Sequence, residues 1–185
     1  MDRDVQFTDI TTLVVERTLP GPIERVWAYL TDSDKRARWL AGGPMGQFVG
    51  GSVALHFRHM DLSDDKTPAP DKYARGEKEE NNHIVAGTVT RFEPPNVLAY
   101  TWGQKNSEVT FELTTQGSQV HLLLTHRDLT PDIDNRTSVA SGWHAHLATL
   151  IEELSDSPRS AFWPRHATLE AHYRAVLRTE GIADE

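Results

Sequence analysis

Nine histidines are the residues of this chain best suited to metal binding or proton transfer. Their spacing does not favour a shared site. His144 and His146 are two apart in a predicted helix, and each therefore points to a different side. His56 and His59 are three apart in a predicted strand and also face opposite ways. The sequence holds no His-Glu-x-x-His motif, so it predicts neither a metal site nor a cofactor.

Nucleophilic catalysis has equally little support in the residue spacing. Ser141 lies three residues before His144 in a predicted helix, but no Gly-x-Ser-x-Gly motif occurs. The absence of cysteine excludes thiol catalysis and disulfides. Neither a phosphate-binding glycine loop nor a dinucleotide fingerprint is present. The sequence therefore predicts no catalytic residues and favours a protein that is not an enzyme.

One group of residues does predict a binding site. His126 lies on the apolar face of a predicted strand, and Trp102 ends a neighbouring strand. His146 follows Trp143 by three residues in the long predicted helix. A few polar groups in an apolar pocket orient a ligand, and a buried imidazole can act as acid or base in a polyketide-type cyclisation. The plainer interpretation, that these residues only pack and hydrogen-bond in the core, stays open.

The elements that would position these residues follow from apolar periodicity. Period-two alternation predicts strands over residues 10–19, 52–59, 83–92, 97–102, 108–115 and 119–127. The links between the last four are too short for crossover helices, so the pairing should be antiparallel. Two short helices follow the first strand, one beginning at Pro22 and one ending near residue 40.

Two further helices and one charged segment complete the prediction. Helical periodicity covers residues 137–154 and 164–180. Gly142 lies inside the first of these helices, which makes sense if another backbone packs close to it. In residues 61–80, eleven of twenty positions are charged, which predicts a long exposed loop. That loop is a lid or binding loop in one interpretation and a plain solvated insertion in the other.

Together these elements predict an α+β helix-grip fold. One amphipathic helix cannot cover a wide flat sheet, so a curved antiparallel sheet of about six to seven strands should wrap around the long C-terminal helix. The two short helices follow strand one, and an extra helix ends the chain. The gap between sheet and long helix is the expected cavity. Its predicted lining residues are Phe57, His59, Trp102, Phe111, Leu113, Leu122, Leu124, His126, Trp143, His146, Leu147 and Leu150.

Charge and composition exclude several classes of partner. The chain of 185 residues carries a formal net charge of -8, which argues against binding to nucleic acid or to anionic membranes. Residues 1–10 are charged and lack an apolar run, so they do not form a signal peptide. No stretch approaches the ~20 apolar residues of a membrane span. A cytoplasmic location without membrane insertion is therefore expected.

Four segments resemble a known superfamily in order and spacing. They are ERTLPGPIERVW at residues 16–27, GTVTRFEPPNVLAYTW at residues 87–102, LTH at residues 124–126, and Gly142-Trp143 with Leu147 and Leu150. This pattern resembles the START-like (SRPBCC) superfamily, and more narrowly homologues of the C-terminal domain of the heat-shock-protein ATPase activator. The resemblance implies a helix-grip fold with a deep cavity, in a superfamily whose members bind lipids, sterols, polyketides or flavonoids, some of them being cyclases or aromatases. It implies no catalytic motif at any position of this chain.

Three hypotheses about function follow. The first is a protein that binds a small apolar or aromatic molecule in the cavity. The second is a cyclase- or aromatase-like enzyme that uses a cavity histidine. The third is a protein-interaction module whose partner is a chaperone or a regulator. In each case residues 1–157 form the START-like domain, and residues 158–185 form a helical extension packed on it. The oligomeric state and the ligand are not indicated by the sequence.

Overall fold

The computed structural model describes residues 4–73, 83–103 and 106–179. Within these residues seven strands form one sheet, and every neighbouring pair is antiparallel. The strands are β1 (Gln6–Asp9), β2 (Thr12–Pro20), β3 (Ser52–Phe57), β4 (His83–Glu93), β5 (Val97–Thr101), β6 (Glu108–Gln116) and β7 (Gln119–Arg127). Their order across the sheet is β1-β2-β7-β6-β5-β4-β3. The helices are α1 (Ile23–Thr31), α2 (Ser33–Ala37), α3 (Ile133–Leu154) and α4 (Phe162–Thr179).

This arrangement confirms the predicted α+β class with a long C-terminal helix, two short helices after the strand β2, and an additional last helix. The strand β1 was not predicted, because four residues carry too short an alternation to be recognised. The helix α3 begins four residues before the predicted start at residue 137. The Asp132 carboxylate caps this helix by accepting a hydrogen bond from the backbone N–H of Asn135 at 2.8 Å.

The core lies between one face of the sheet and α3. Cross-strand neighbours such as Phe111 with Leu124 and Leu113 with Leu122 put their side chains on the same face. Leu147 and Leu150 of α3 belong to the same buried cluster. Burial of such side chains contributes about 1.5–3 kcal/mol each. The centre of the fold is therefore a packed interior, and α4 lies on the outer side of α3.

Two features bend β4, which pairs with β5 along one part of its length and with β3 along the other. A register shift between Val89 and Arg91 is the first. Gly87 is the second, because a Cβ at this position would lie 2.0 Å from the Thr101 carbonyl oxygen. Bulges and glycines at such positions turn a strand. The end of β3 reaches α3, where the ring of Phe57 lies 6.0 Å from that of His146.

Arg36 of α2 holds the segment that follows α1. Its side chain is 1% exposed and its guanidinium donates to the carbonyls of Ala41, Thr31 and Gly43. Some of these acceptors are the orphan carbonyls that end a helix, since Thr31 is the last residue of α1. A single buried cation thus satisfies several buried carbonyls at once.

Arg36→Met should lower the free energy of unfolding by about 3 kcal/mol, because the carbonyls would remain buried without a donor. Urea denaturation measures this loss. Arg38→Met is a suitable comparison, since the Arg38 side chain is 58% exposed and its buried partner Glu153 keeps a second ion pair with Arg159. A loss at Arg36 no greater than the loss at Arg38 would contradict the role given to the buried guanidinium.

The charged segment is not simply an exposed loop, as the sequence had suggested. Leu62 and Ser63 are 1% and 3% exposed, and Leu62 packs with Phe162 and Trp163. The apolar residues among the charges are the reason for the difference, because Leu62 and Tyr73 pack with aromatic residues of α4. The remaining part of the predicted loop, residues 74–80, lies outside the described residues.

None of the helices in the described part of the chain combines the length and the apolar composition needed to cross a membrane.

Candidate functional site

A cavity of about 500 Å³ lies where the first half of α3 meets the start of α4 and the end of β3. Six aromatic side chains are the largest group in its wall: Phe57, Tyr73, Trp102, Trp143, Phe162 and Trp163. Histidines supply most of its polar groups: His59, His83, His126, His146 and His166. None of the described lining residues is aspartate or glutamate. The site is thus a large aromatic chamber with imidazoles in its wall.

The structure places the twelve predicted lining residues in two groups. Six line the cavity: Phe57, His59, Trp102, His126, Trp143 and His146. The other six are at most 2% exposed and pack in the centre of the core: Phe111, Leu113, Leu122, Leu124, Leu147 and Leu150. The interface between sheet and long helix is therefore filled along its middle, and this cavity lies at one end of it.

His126 and two tryptophans form the inner wall. The rings of Trp102 and Trp143 lie 5.2 Å apart, and the ring of Trp102 lies 5.4 Å from that of His126. The Trp143 Nε1–H donates to His126 Nδ1 at 3.0 Å. Burial lowers the pKa of His126 to about 3, so the ring is neutral at physiological pH. Its single proton therefore lies on Nε2.

This proton position excludes an activated serine at Ser107. Its Oγ lies 2.8 Å from His126 Nε2, which is the separation of a nucleophile and its general base. A base must accept the serine proton, but this Nε2 already carries a proton and donates it to the hydroxyl. The pair is therefore structural, and it fixes the orientation of His126 and, through it, of Trp143.

We expect Ser107 to remain unlabelled by a fluorophosphonate probe under conditions in which a serine hydrolase reacts fully. The physical reason is the absence of an unprotonated base at the hydroxyl. Intact-protein mass spectrometry gives the result directly. An adduct on the wild-type protein that disappears in Ser107→Ala would contradict the assigned tautomer.

A second serine–histidine pair also lacks an activated nucleophile. The hydroxyl of Ser141 donates to the Thr137 carbonyl at 2.8 Å, and it accepts from His166 Nε2 at 3.3 Å. Burial, followed by the influence of His59 and Lys72, lowers the pKa of His166 to about 4. The neutral ring therefore makes no ion pair with the carboxylate of Glu170, 3.9 Å from Nδ1. Ser141 is fully buried and cannot reach a substrate.

His146 differs from His126 and His166 in its hydrogen bonds. Its Nδ1 lies 2.7 Å from the carbonyl oxygen of Trp39, which can only accept, so Nδ1 carries the proton and donates. Burial, followed by His59, keeps the pKa of His146 well below its ordinary value of 6.5. The ring is neutral, and Nε2 holds its lone pair. The rings of Phe162 and Phe57 lie 4.8 Å and 6.0 Å away.

The segment 60–73, here called the strap, reaches the cavity wall at Lys72 and Tyr73. Tyr73 stacks on Trp163 with ring centroids 5.3 Å apart, and its hydroxyl lies 3.2 Å from the Ser138 Oγ. Lys72 forms an ion pair with Glu170 of α4. Trp163 is 5% exposed, and its Nε1–H has no acceptor among the described residues. Tyr73 of the strap and Trp163 of α4 therefore stack side by side in the cavity wall.

Gly142 has a different role from the one expected. No backbone packs against it, because a Cβ built there would meet no heavy atom within 4 Å. Gly142 lies in the cavity wall between the side chains of Ser138 and His146. The missing side chain leaves space in the cavity. The prediction of a close backbone contact was therefore wrong.

Sequence reasoning missed the contribution of α4 to the cavity. Phe162, Trp163 and His166 are spaced as one helical face, yet this pattern alone gives no sign of which element it meets. Tyr73 was not predicted to line the cavity, because the charged residues around it indicated an exposed loop. No group of three or more potential ligand residues in the described ranges is arranged to hold a metal ion, although five histidines line the cavity.

A second, larger concavity of about 960 Å³ is an open groove on the opposite side of α3. Charged and polar residues such as Glu16, His121 and Arg165 line it. Arg165 pairs with Glu152 across part of the groove. Because its wall is more polar, the groove is less suited than the aromatic cavity to an apolar ligand.

Comparison with known proteins decides the family. The family model described as Activator of Hsp90 ATPase homolog 1-like protein matches residues 20–155. The chain belongs to this family. The resemblance to the heat-shock ATPase-activator homologues and to the START-like superfamily is thereby confirmed. The helix α4 lies beyond the residues that the family model matches, and so do the three residues that it gives to the cavity.

Solved structures agree with the membership in the Activator of Hsp90 ATPase homolog 1-like family. A protein from Bordetella parapertussis, studied by solution NMR, is 44% identical, with a TM-score of 0.74, over 93% of this chain and 90% of that chain. CalU16 from Micromonospora echinospora is 21% identical, with a TM-score of 0.64, over 90% of this chain and 88% of that chain. DynU16, described as a putative protein in the dynemicin biosynthetic locus, is 19% identical, with a TM-score of 0.60, over 82% of this chain and 50% of that chain. A search of curated proteins returned no match.

Proposed function

We propose that this protein binds one uncharged aromatic or apolar small molecule in the cavity, and that it does so in the cytoplasm. The observation that carries the proposal is the chamber of about 500 Å³ walled by six aromatic side chains. Ligand sites commonly have volumes of roughly 300–1,000 Å³ and apolar walls with a few placed polar groups. This chamber has both properties.

The charged groups of the cavity wall indicate which ligand charge the site can accept. The absence of carboxylates among the described lining residues disfavours a cationic amine, which needs a counter-ion in an apolar site. Lys72 is the one lysine or arginine of the described lining, and it is already paired with Glu170. His126, His146 and His166 are neutral at physiological pH. A ligand without charge therefore suits the site best.

Native mass spectrometry of the purified protein, followed by extraction of any bound molecule, tests the proposal. A stoichiometric compound that co-purifies with the protein would support it and give its chemical class. A protein that is empty and gains no thermal stability from a panel of lipids, flavonoids and aromatic polyketides would contradict it. That second outcome would favour the interaction module.

A cyclase- or aromatase-like activity is the second candidate. The unprotonated Nε2 of His146 in the cavity wall is the observation that favours it. The description of DynU16 as belonging to a biosynthetic locus points the same way. A low pKa makes His146 a weak base, however, so the ring is better suited to accepting a hydrogen bond than to removing a proton. Conversion of an extracted ligand by the protein would establish this activity over binding alone.

A further inference from the structure

We infer that the ligand carries a hydroxyl or N–H group that donates a hydrogen bond to Nε2 of His146, so that the cavity selects hydroxylated aromatic molecules over their ethers and hydrocarbons. This inference rests on the proposed function and adds the chemical group that the site recognises. It begins from the proton position on His146, which the Trp39 carbonyl determines.

The Trp39 carbonyl gives the ring one orientation and one tautomer. A carbonyl oxygen accepts and cannot donate, so His146 Nδ1 must carry the proton at the 2.7 Å contact. Nε2 then has only a lone pair. Among the described residues no hydrogen bond to Nε2 is present, and His146 is 5% exposed in the wall of the cavity. Nε2 is therefore the acceptor that the ring can offer to a bound molecule.

His126 and His166 cannot offer an acceptor in the same way. The two nitrogens of His126 are occupied, because Nδ1 accepts from Trp143 and Nε2 donates to Ser107. His166 donates from Nε2 to Ser141, and its Nδ1 is fully buried beside Glu170. Of these three histidines, His146 is therefore the one whose ring offers an acceptor nitrogen to a ligand.

Aromatic rings surround this acceptor and increase its selectivity. Phe57, Phe162 and His59 lie with ring centroids between 4.8 Å and 6.0 Å from the His146 ring. A ligand that fills the chamber removes water from Nε2, and an acceptor buried without a donor costs about 1–3 kcal/mol. A ligand hydroxyl avoids that cost, whereas an ether of similar shape does not.

The test compares naphthol with its methyl ether, which keeps the flat ring and the oxygen but lacks the O–H. Both probes are uncharged at neutral pH. Two substitutions separate the nitrogens of His146. In His146→Asn the side-chain amide replaces Nδ1–H and can still donate to Trp39, whereas Nε2 is lost. In His146→Gln the amide reaches the position of Nε2 and the bond to Trp39 is lost. His121→Asn, in the open groove, is the control.

Quenching of tryptophan fluorescence gives the two dissociation constants for each protein, and thermal unfolding shows that each variant is folded. We expect the wild-type protein and His121→Asn to prefer naphthol by about two- to tenfold, which is the contribution of one hydrogen bond. His146→Asn should bind both probes equally, and His146→Gln should keep part of the preference.

The outcomes separate the inference from the proposed function. Equal binding of the two probes to the wild-type protein, or a preference retained in His146→Asn, overturns the role of Nε2 while leaving aromatic binding intact. Failure of the wild-type protein to bind either probe, together with an empty result in the ligand panel, overturns the proposed function and this inference with it.

Discussion

Acidification from about pH 7 to about pH 5 should lower the free energy of unfolding by about 4 kcal/mol through two buried histidines alone. Burial lowers the pKa of His126 to about 3 and, with His59 and Lys72 adding to the effect, that of His166 to about 4. In the unfolded chain both titrate near the ordinary value of 6.5. His146 shifts in the same direction and adds to the loss.

The sign follows from proton binding. Between the lowered pKa and the ordinary one, the unfolded chain binds more protons than the folded chain does, so stability falls as the pH falls. The histidine contribution is fully present above about pH 7 and is lost progressively toward pH 4. Carboxylates titrate near pH 4 in unfolded chains, so the range from about pH 7 to about pH 5 isolates the histidines. Since domains have only about 5–15 kcal/mol of stability, the loss should be large.

Urea denaturation at several pH values measures the effect. His126→Asn keeps an acceptor for Trp143 but removes the titrating ring, so it should be less stable at neutral pH and show a shallower pH dependence. His56→Asn is the matched control, because His56 is exposed on β3 and its loss should leave the slope unchanged. A free energy of unfolding that is constant over this range would contradict the burial of neutral imidazoles.

Filling the space beside Gly142 should abolish or strongly weaken ligand binding. A Cβ at this position meets nothing within 4 Å, so Gly142→Ala should fold well and gain about 1 kcal/mol from helix propensity. Gly142→Leu and Gly142→Trp extend progressively into the chamber. Overpacking costs about 1–3 kcal/mol, so the affinity for naphthol should fall by about tenfold to a hundredfold across this series.

The control adds the same side chain to the other side of the same helix. Ala148 of α3 lines the open groove and not the cavity, so Ala148→Leu and Ala148→Trp should bind naphthol as the wild-type protein does. Isothermal titration calorimetry measures affinity and stoichiometry together. Unchanged binding in Gly142→Trp, or equal losses in the two series, would show that the ligand does not enter this chamber.

The cavity wall combines residues that the family model matches with residues that lie beyond the match. Trp102, His126 and Trp143 lie within the residues that the family model matches. Phe162, Trp163 and His166 lie beyond them, on α4. The strap contributes Tyr73, and its Lys72 forms an ion pair with Glu170 of α4. We therefore expect ligand selectivity within this family to vary with the C-terminal helix and with the length and composition of the strap.

The sequence by itself determined the class of the fold, and it predicted three residues that lie in the inner wall of the cavity, Trp102, His126 and Trp143. Alternation along β6 and β7 and the helical stripe around Trp143 indicate burial, because most side chains that face the core are apolar. Short turns made antiparallel pairing the natural arrangement. His126 and Trp102 could be placed together for the same reason, since both lie near the ends of apolar strands.

Only the tertiary structure decided where space remains and which atoms carry protons. Leu147 and Leu150 look like cavity residues along the chain, but they are fully buried in the same core cluster as Phe111. Gly142 looks like a close contact and is instead an opening. Local patterns report whether a side chain is buried, whereas the packing of distant elements determines what it is buried against. The tautomer of His146 depends on the Trp39 carbonyl, 107 positions away along the chain, and no local pattern contains that contact.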